Sequence, residues 1–206
     1  MYEGALHVDD LKNLILDQAQ SRFDRFGFQK TTMDEISRDC KISKRTLYEH
    51  FHDKQHLFDS LFVRECQKDL ELIFARMGEV PDPLDRLLKL LRTAIEYFRE
   101  DIFLTRLLKN DDALFSALLT GKYHSLVTEN LVSIIADIIK EGKQKNRIRP
   151  EVNEQVAAYI GLKMFQAFSY MKTMPFDPQK EADGFYTDAL VDILHHSLIR
   201  SNGGEN

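Results

Sequence analysis

With 206 residues the chain has room for one large domain or two small ones. Its 43% apolar and 30% charged content, with five prolines and nine glycines, is that of a globular protein rather than a disordered or β-rich one. The net charge of −5 argues against a general nucleic-acid coat protein. No run of about 18 apolar residues marks a membrane span, and a start carrying Glu3, Asp9 and Asp10 has no export signal, so a cytoplasmic protein without membrane contact is expected.

In chain order, residues 9–26 predict an amphipathic helix, with Leu11, Leu14, Ile15, Ala19, Phe23 and Phe26 at three- and four-residue spacing. Gly27 is placed to end it. Thr32 and Glu35 then stand in capping-box register at the head of a short helix with Ile36 and Cys40 on its apolar stripe. Ser43 is placed to cap a second short helix, Lys44 to His50, whose Leu47 and Phe51 can close over Ile36, Cys40 and Ile42. Lys44, Arg45, Thr46, Tyr48 and His50 fall on its other side. An apolar underside with cationic, hydroxyl and aromatic groups on top suits a recognition helix in a DNA major groove. Residues 1–60 are not net basic, but from Arg38 to Lys54 five cations face only Asp39, Glu49 and Asp53. Such local positive potential fits a site-specific binder making few phosphate contacts.

Asp53 is placed to cap a helix from Lys54 to about Met77, longer than a DNA-binding unit needs. The clearest break is Gly78 to Pro83, with Asp82 as cap and Pro83 as first helical residue of the next helix. Helices follow over Asp101 to Lys109, Asp112 to Leu119 and Tyr123 to Glu141, the last closed by Gly142. The basic loop Lys143, Lys145, Arg147, Arg149 reads as solvated. Asn153 caps a helix to about Met174, and Asp177-Pro178 opens the last one, to about Arg200. The fold expected is all-α. The predicted domains are 1–53, linked by the helix 54–77, and 78–206.

The helix after Asn153 is apolar on more than one stripe: Val156, Ile160, Met164 and Phe168 form one line, and Ala157, Gly161, Phe165 and Met171 are apolar as well. Such a helix must be buried on most sides. A partner subunit covers the extra face economically; a fully central place inside a monomer would also do so.

No glycine-rich phosphate loop, zinc-spaced Cys or His pair, or nucleophile motif is present. Cys40 and Cys66 are expected to be reduced thiols. His50, His52 and His56 span a helix end, a turn and a helix start, and are not read as metal ligands. No catalytic residue, metal or cofactor is therefore assigned.

The stretch ILDQAQSRFDRFGFQKTTMDEISRDCKISKRTLYEHFHDKQHLF, residues 15–58, resembles the TetR family of bacterial transcriptional regulators. The resemblance rests on Phe23 through Phe28, Thr31-Thr32, Ile36, Ser43-Lys44, Thr46-Leu47-Tyr48, His50-Phe51 and Lys54 before Leu57. Cys40 and Lys41 stand where the family often has a small residue and then Gly. A left-handed Lys41 would cost on the order of 1 kcal/mol. Glu49 has two readings, an acceptor for a cytosine amino group or a solvated residue facing away from DNA.

The resemblance implies an N-terminal three-helix helix-turn-helix domain and a C-terminal helical domain for ligand binding and dimerisation, with two C-terminal helices from each subunit forming a four-helix bundle. It implies a homodimer on a near-palindromic double-stranded operator, and a repressor released by a small molecule. Lys44, Arg45 and Thr46 are expected at base edges. Tyr48, His50 and Lys54 are expected at phosphate, with Thr32, Met33 and Ser43 completing the DNA-contact set. A pocket in the C-terminal domain, with Phe98, Phe103, Phe115, Tyr123, Met164 and Phe168 as candidate walls, favours an apolar or aromatic ligand. The rivals are a ligand-independent chromosome-organising factor and an α-helical module without DNA activity.

Overall fold

The structure, a computed structural model, describes residues 8–110, 128–170, 179 and 184–199. Its helices are α1 (Val8–Phe26), α2 (Met33–Asp39), α3 (Lys44–His50), α4 (Lys54–Met77), α5 (Pro83–Arg99), α6 (Phe103–Asn110), α7 (Glu129–Gln144), α8 (Glu154–Tyr170) and α9 (Phe185–Leu198). Among the described residues there is no strand; a lone antiparallel bridge joins Ile148 and Ile199. The predicted helix over Asp112 to Leu119, the start of the one from Tyr123 and the Asp177-Pro178 opening lie outside the described residues. The chain divides into two compact units, Met1–Lys68 and Asp69–Asn206, and the division falls inside α4.

The first unit forms around aromatic rings brought together from distant positions. Phe23 of α1 lies 5.6 Å from Phe58 of α4, and Phe28, just past Gly27, lies 4.9 Å from the same ring. Ile15, Ile36, Leu47, Phe51 and Leu57 are fully enclosed with them. Gly27 ends α1 with φ +81°, a left-handed backbone that glycine adopts without a Cβ clash. Along the other side of α1, Arg64 of α4 pairs with Asp17 at 2.8 Å, and Gln20 donates to the buried Glu65 at 3.1 Å.

In the second unit α5 packs against α7, α8 and α9, and α7 against α8. Asp82 caps α5 by accepting from the Leu84 and Asp85 N–H groups, with Pro83 at the first turn as predicted. The core gathers Leu84, Val132, Ile139, Ile148, Ala158 and Leu162. Gly142 does not end α7, as expected, because the helix continues to Gln144 and the left-handed residue is Asn146, φ 56°. Gly142 instead admits the side chain of Ile148: a Cβ there would lie 2.6 Å from Ile148 Cδ1. The basic loop is not simply solvated either. Lys143 donates to the Val152 carbonyl at 2.9 Å and to Glu154 at 2.8 Å, Lys145 pairs with Glu141, and Arg147 pairs with Asp82. Those cations fasten the loop to α5, α7 and α8.

Candidate nucleic-acid interface

The predicted capping box is formed: Glu35 N–H donates to Thr32 Oγ1 at 3.3 Å, and Thr32 N–H donates to Glu35 Oε2 at 2.9 Å. The Thr32 hydroxyl and backbone N–H together hold the Glu35 carboxyl below its usual range. Each short helix is thus held by a local cap, which seven residues need because nucleation is costly. Ser43 does the same for α3, accepting from Thr46 N–H at 3.0 Å and sharing a hydroxyl hydrogen bond with Thr46 at 2.8 Å. Between the helices Lys41 takes φ 56°, in the left-handed region. Arg22 of α1 locks the turn's near side by pairing with Glu35 and Asp39, and holds the Asp39 carboxyl below its ordinary range. Cys40 is buried beneath, its thiol pushed up to about 11 by burial and by the neighbouring Asp39 carboxylate, so it stays protonated at neutral pH.

Leu47 and Phe51 anchor α3, both fully buried, and Ile42 is half-buried beside the turn. The opposite side of α3 is open. Lys44 and Arg45 have side chains 62% and 90% exposed, and Tyr48 is also exposed. Thr46 and His50 are half-buried. A rigid helix held from below, presenting two cations and a phenol, has the form that major-groove reading requires.

Two expected contacts take other places. Met33 is buried in the first unit and presents no surface to a duplex. Lys54 is engaged within the domain: its ammonium donates to the carbonyls of Phe28 and Thr31, each at 2.9 Å, and of Gln29 at 3.4 Å. It also sits 4.4 Å from the Phe28 ring centroid. With three donors and three carbonyls, the ammonium ties the α1–α2 turn to the head of α4.

Two carboxylates hold cations of the interface: Asp34, which the sequence did not single out, and Glu49, whose cation partner it did not name. Asp34 on α2 pairs with Lys44, and Glu49 on α3 accepts from Arg45 Nε at 3.1 Å. The second pair was legible as an i, i+4 spacing on one helix. The first, ten residues apart, exists only because α2 and α3 cross. At the head of α4, Asp53 Oδ1 accepts from His56 N–H, and the His52 and His56 rings stack at 4.3 Å. Among the described residues no three His, Cys, Asp or Glu side chains are grouped to hold a metal ion.

Of the candidate pocket walls, Phe103 is buried, while Phe98 and Met164 are half-buried, with Phe98 5.6 Å from Phe165. Phe115, Tyr123 and the Phe168 side chain lie outside the described residues. Beside Phe98, Tyr97 donates its hydroxyl to the buried Asp69 at 2.7 Å, a polar contact within the second unit that the sequence did not single out. Burial and that carboxylate raise the tyrosine well above its ordinary range.

Residues 15–61 match the family model for bacterial regulatory proteins of the tetR family. The chain is 27% identical over 191 residues to an uncharacterized HTH-type transcriptional regulator, YhgD, of Bacillus subtilis (strain 168), covering 93% of this chain and 96% of that one. It is 25% identical to an HTH-type transcriptional repressor of Mycobacterium tuberculosis, over 95% and 96% of the two chains. Among solved structures, a tetR-family regulator from Mesorhizobium loti superposes with TM-score 0.67 at 19% identity, over 92% of this chain and 97% of that one. The fatty acid degradation regulator FadR from Bacillus halodurans does so with TM-score 0.62 at 18% identity, over the whole of both chains. Residues 15–61, with the helix-turn-helix of α2 and α3, therefore carry a DNA-binding domain of the TetR type, and over nearly its whole length the chain is similar to TetR-family transcriptional regulators.

Proposed function

We propose that the protein is a homodimeric repressor whose two recognition helices read a near-palindromic operator, and that a small apolar or aromatic molecule in the C-terminal domain releases it. The observation that carries the reading is α4, one unbroken helix from Lys54 to Met77 that belongs to both compact units. Its head is tied to the α1–α2 turn through Lys54, and its tail meets α5 through Tyr97–Asp69 and the Arg76–Glu100 pair. Residues 1–53 then serve DNA, α4 links, and 78–206 hold the ligand and the dimer face. A ligand favouring a tilted α4 shifts the population toward dimers whose recognition helices miss successive major grooves, about 34–36 Å apart. Tenfold weaker operator binding needs about 1.4 kcal/mol of differential affinity.

At the operator, Lys44, Arg45 and Thr46 take base edges, while Tyr48 and His50 take phosphate. The dimer face is assigned to α8 and α9. Val156, Tyr159 and Ile160 are exposed on α8, with Phe185 and Ile193 exposed on α9, and a Cβ at Gly161 would meet nothing within 4 Å among the described residues. Apolar side chains left exposed along α8 and α9 are what an interface leaves when one subunit is viewed alone. The relative named as a repressor supports the sign of regulation.

The test is reciprocal linkage. Compounds that shift the protein's melting temperature are titrated with and without saturating operator duplex. The duplex must weaken compound binding by the factor the compound weakens duplex binding. A compound indifferent to operator rejects the switch, and many scattered genomic sites with no effector would favour a chromosome-organising role instead.

A further inference from the structure

Both cations assigned to base edges are held by a carboxylate in the free protein. Lys44 pairs with Asp34 across the α2–α3 turn, and Arg45 pairs with Glu49 one turn along α3. The four side chains are open to solvent, from 48% exposed at Asp34 to 90% at Arg45. Exposed pairs of this kind contribute little to stability, so folding gains almost nothing from keeping them. The neighbouring carboxylates have other work: Glu35 completes the α2 cap, and Asp39 is paired with Arg22. Asp34 and Glu49 are the ones that face the reading cations.

Their effect falls on DNA binding. Any duplex offers phosphates, and a free lysine or arginine gains affinity from them by counterion release without reading sequence. A cation already neutralised by its neighbour gains less, and it carries a negative group toward the backbone. Base edges in the major groove offer a different exchange. Guanine presents two acceptors to Arg45 or Lys44, and the amino group of a nearby cytosine or adenine is a donor for the displaced carboxylate.

We propose that Asp34 and Glu49 are specificity-determining residues. They withhold Lys44 and Arg45 from phosphate and release them where base edges supply both the acceptors and an amino donor. The inference rests on Lys44 and Arg45 reading base edges, and it explains how a unit without net positive charge discriminates: the loss is imposed on wrong DNA rather than added to right DNA.

The experiment uses the full chain, a duplex enriched by selection from a random library, and a scrambled duplex, each across a series of salt concentrations. Asp34→Asn and Glu49→Gln remove charge and keep shape. Each is expected to tighten scrambled DNA by about threefold or more, and by more than it tightens the selected duplex. The double variant should lose about tenfold in the ratio of the two affinities, and its salt slope on scrambled DNA should steepen by about 0.9 for each phosphate gained. Unchanged scrambled-DNA affinity, or equal tightening on both duplexes, overturns the inference. Lys44→Ala and Arg45→Ala separate it from the reading beneath. If neither weakens the selected duplex more than the scrambled one, the base-edge assignment fails and this inference with it. If they do, and the carboxylate variants leave the ratio unmoved, the inference alone fails.

Discussion

Replacing Lys54 by methionine separates two roles that the same residue could have. Methionine keeps the apolar stem over Phe28 and removes the ammonium. The structure gives that ammonium two short contacts, to the Phe28 and Thr31 carbonyls at 2.9 Å each, a longer one to Gln29, and a place over the Phe28 ring. A hydrogen bond to a charged group contributes about 1.5–3 kcal/mol and a cation–π contact about 0.5–1 kcal/mol. These do not add fully, because the half-exposed carbonyls regain water when the lysine leaves. A loss of about 2 kcal/mol is the expectation, which for a chain of this size lowers the melting temperature by about 4–8 °C. The assay is thermal unfolding of Lys54→Met without DNA, beside salt-dependent binding to a selected duplex. An unchanged melting temperature, together with a salt slope reduced by about 0.9, would refute the staple and return Lys54 to the phosphate backbone.

Gly142→Ala drives a methyl to 2.6 Å from Ile148 Cδ1 and should cost about 1–3 kcal/mol in urea unfolding, since the neighbour is enclosed in the core. A Cβ at Gly161 meets nothing within 4 Å among the described residues, so Gly161→Leu should leave the monomer fold intact while weakening the dimer by about tenfold or more in sedimentation equilibrium. A variant that dimerises normally would move the interface away from Gly161. Tyr97→Phe removes the hydroxyl donor to buried Asp69 and should cost about 1–3 kcal/mol, read from the same urea series. Acid should loosen the first unit. The Glu35 and Asp39 carboxyls are held below their ordinary values of 4.5 and 3.8, by Thr32 and Arg22 respectively. Their contribution is complete above those values and is lost as pH falls through the lower folded ones. Melting temperatures of wild type and Glu35→Gln should therefore draw together as pH falls below 4.5, while the wild type is the more stable at pH 7.

Local chemistry was readable along the chain wherever one residue acts on its near neighbours. The Thr32–Glu35 box, the Ser43 cap, the Asp82-Pro83 start and the Gly27 stop are encoded within four residues of the backbone groups they serve, so spacing alone reveals them. The same holds for the anchors Leu47 and Phe51, whose burial follows from helical period. What depended on the tertiary structure was the partner of each long polar side chain. Lysine and arginine reach several ångströms from the backbone in any direction, and their destination is set by which carbonyls and carboxylates folding brings near. Lys54 met the carbonyls of Phe28 and Thr31, 26 and 23 residues away, and Lys44 met Asp34 across a turn. Gly142 was misjudged for the same reason: a glycine near a helix end looks like a stop until the residue packed against it, Ile148, is known. Helix ends and stripes are local free-energy choices and belong to the sequence, whereas charge pairing and close approach belong to the fold that gathers the distant groups.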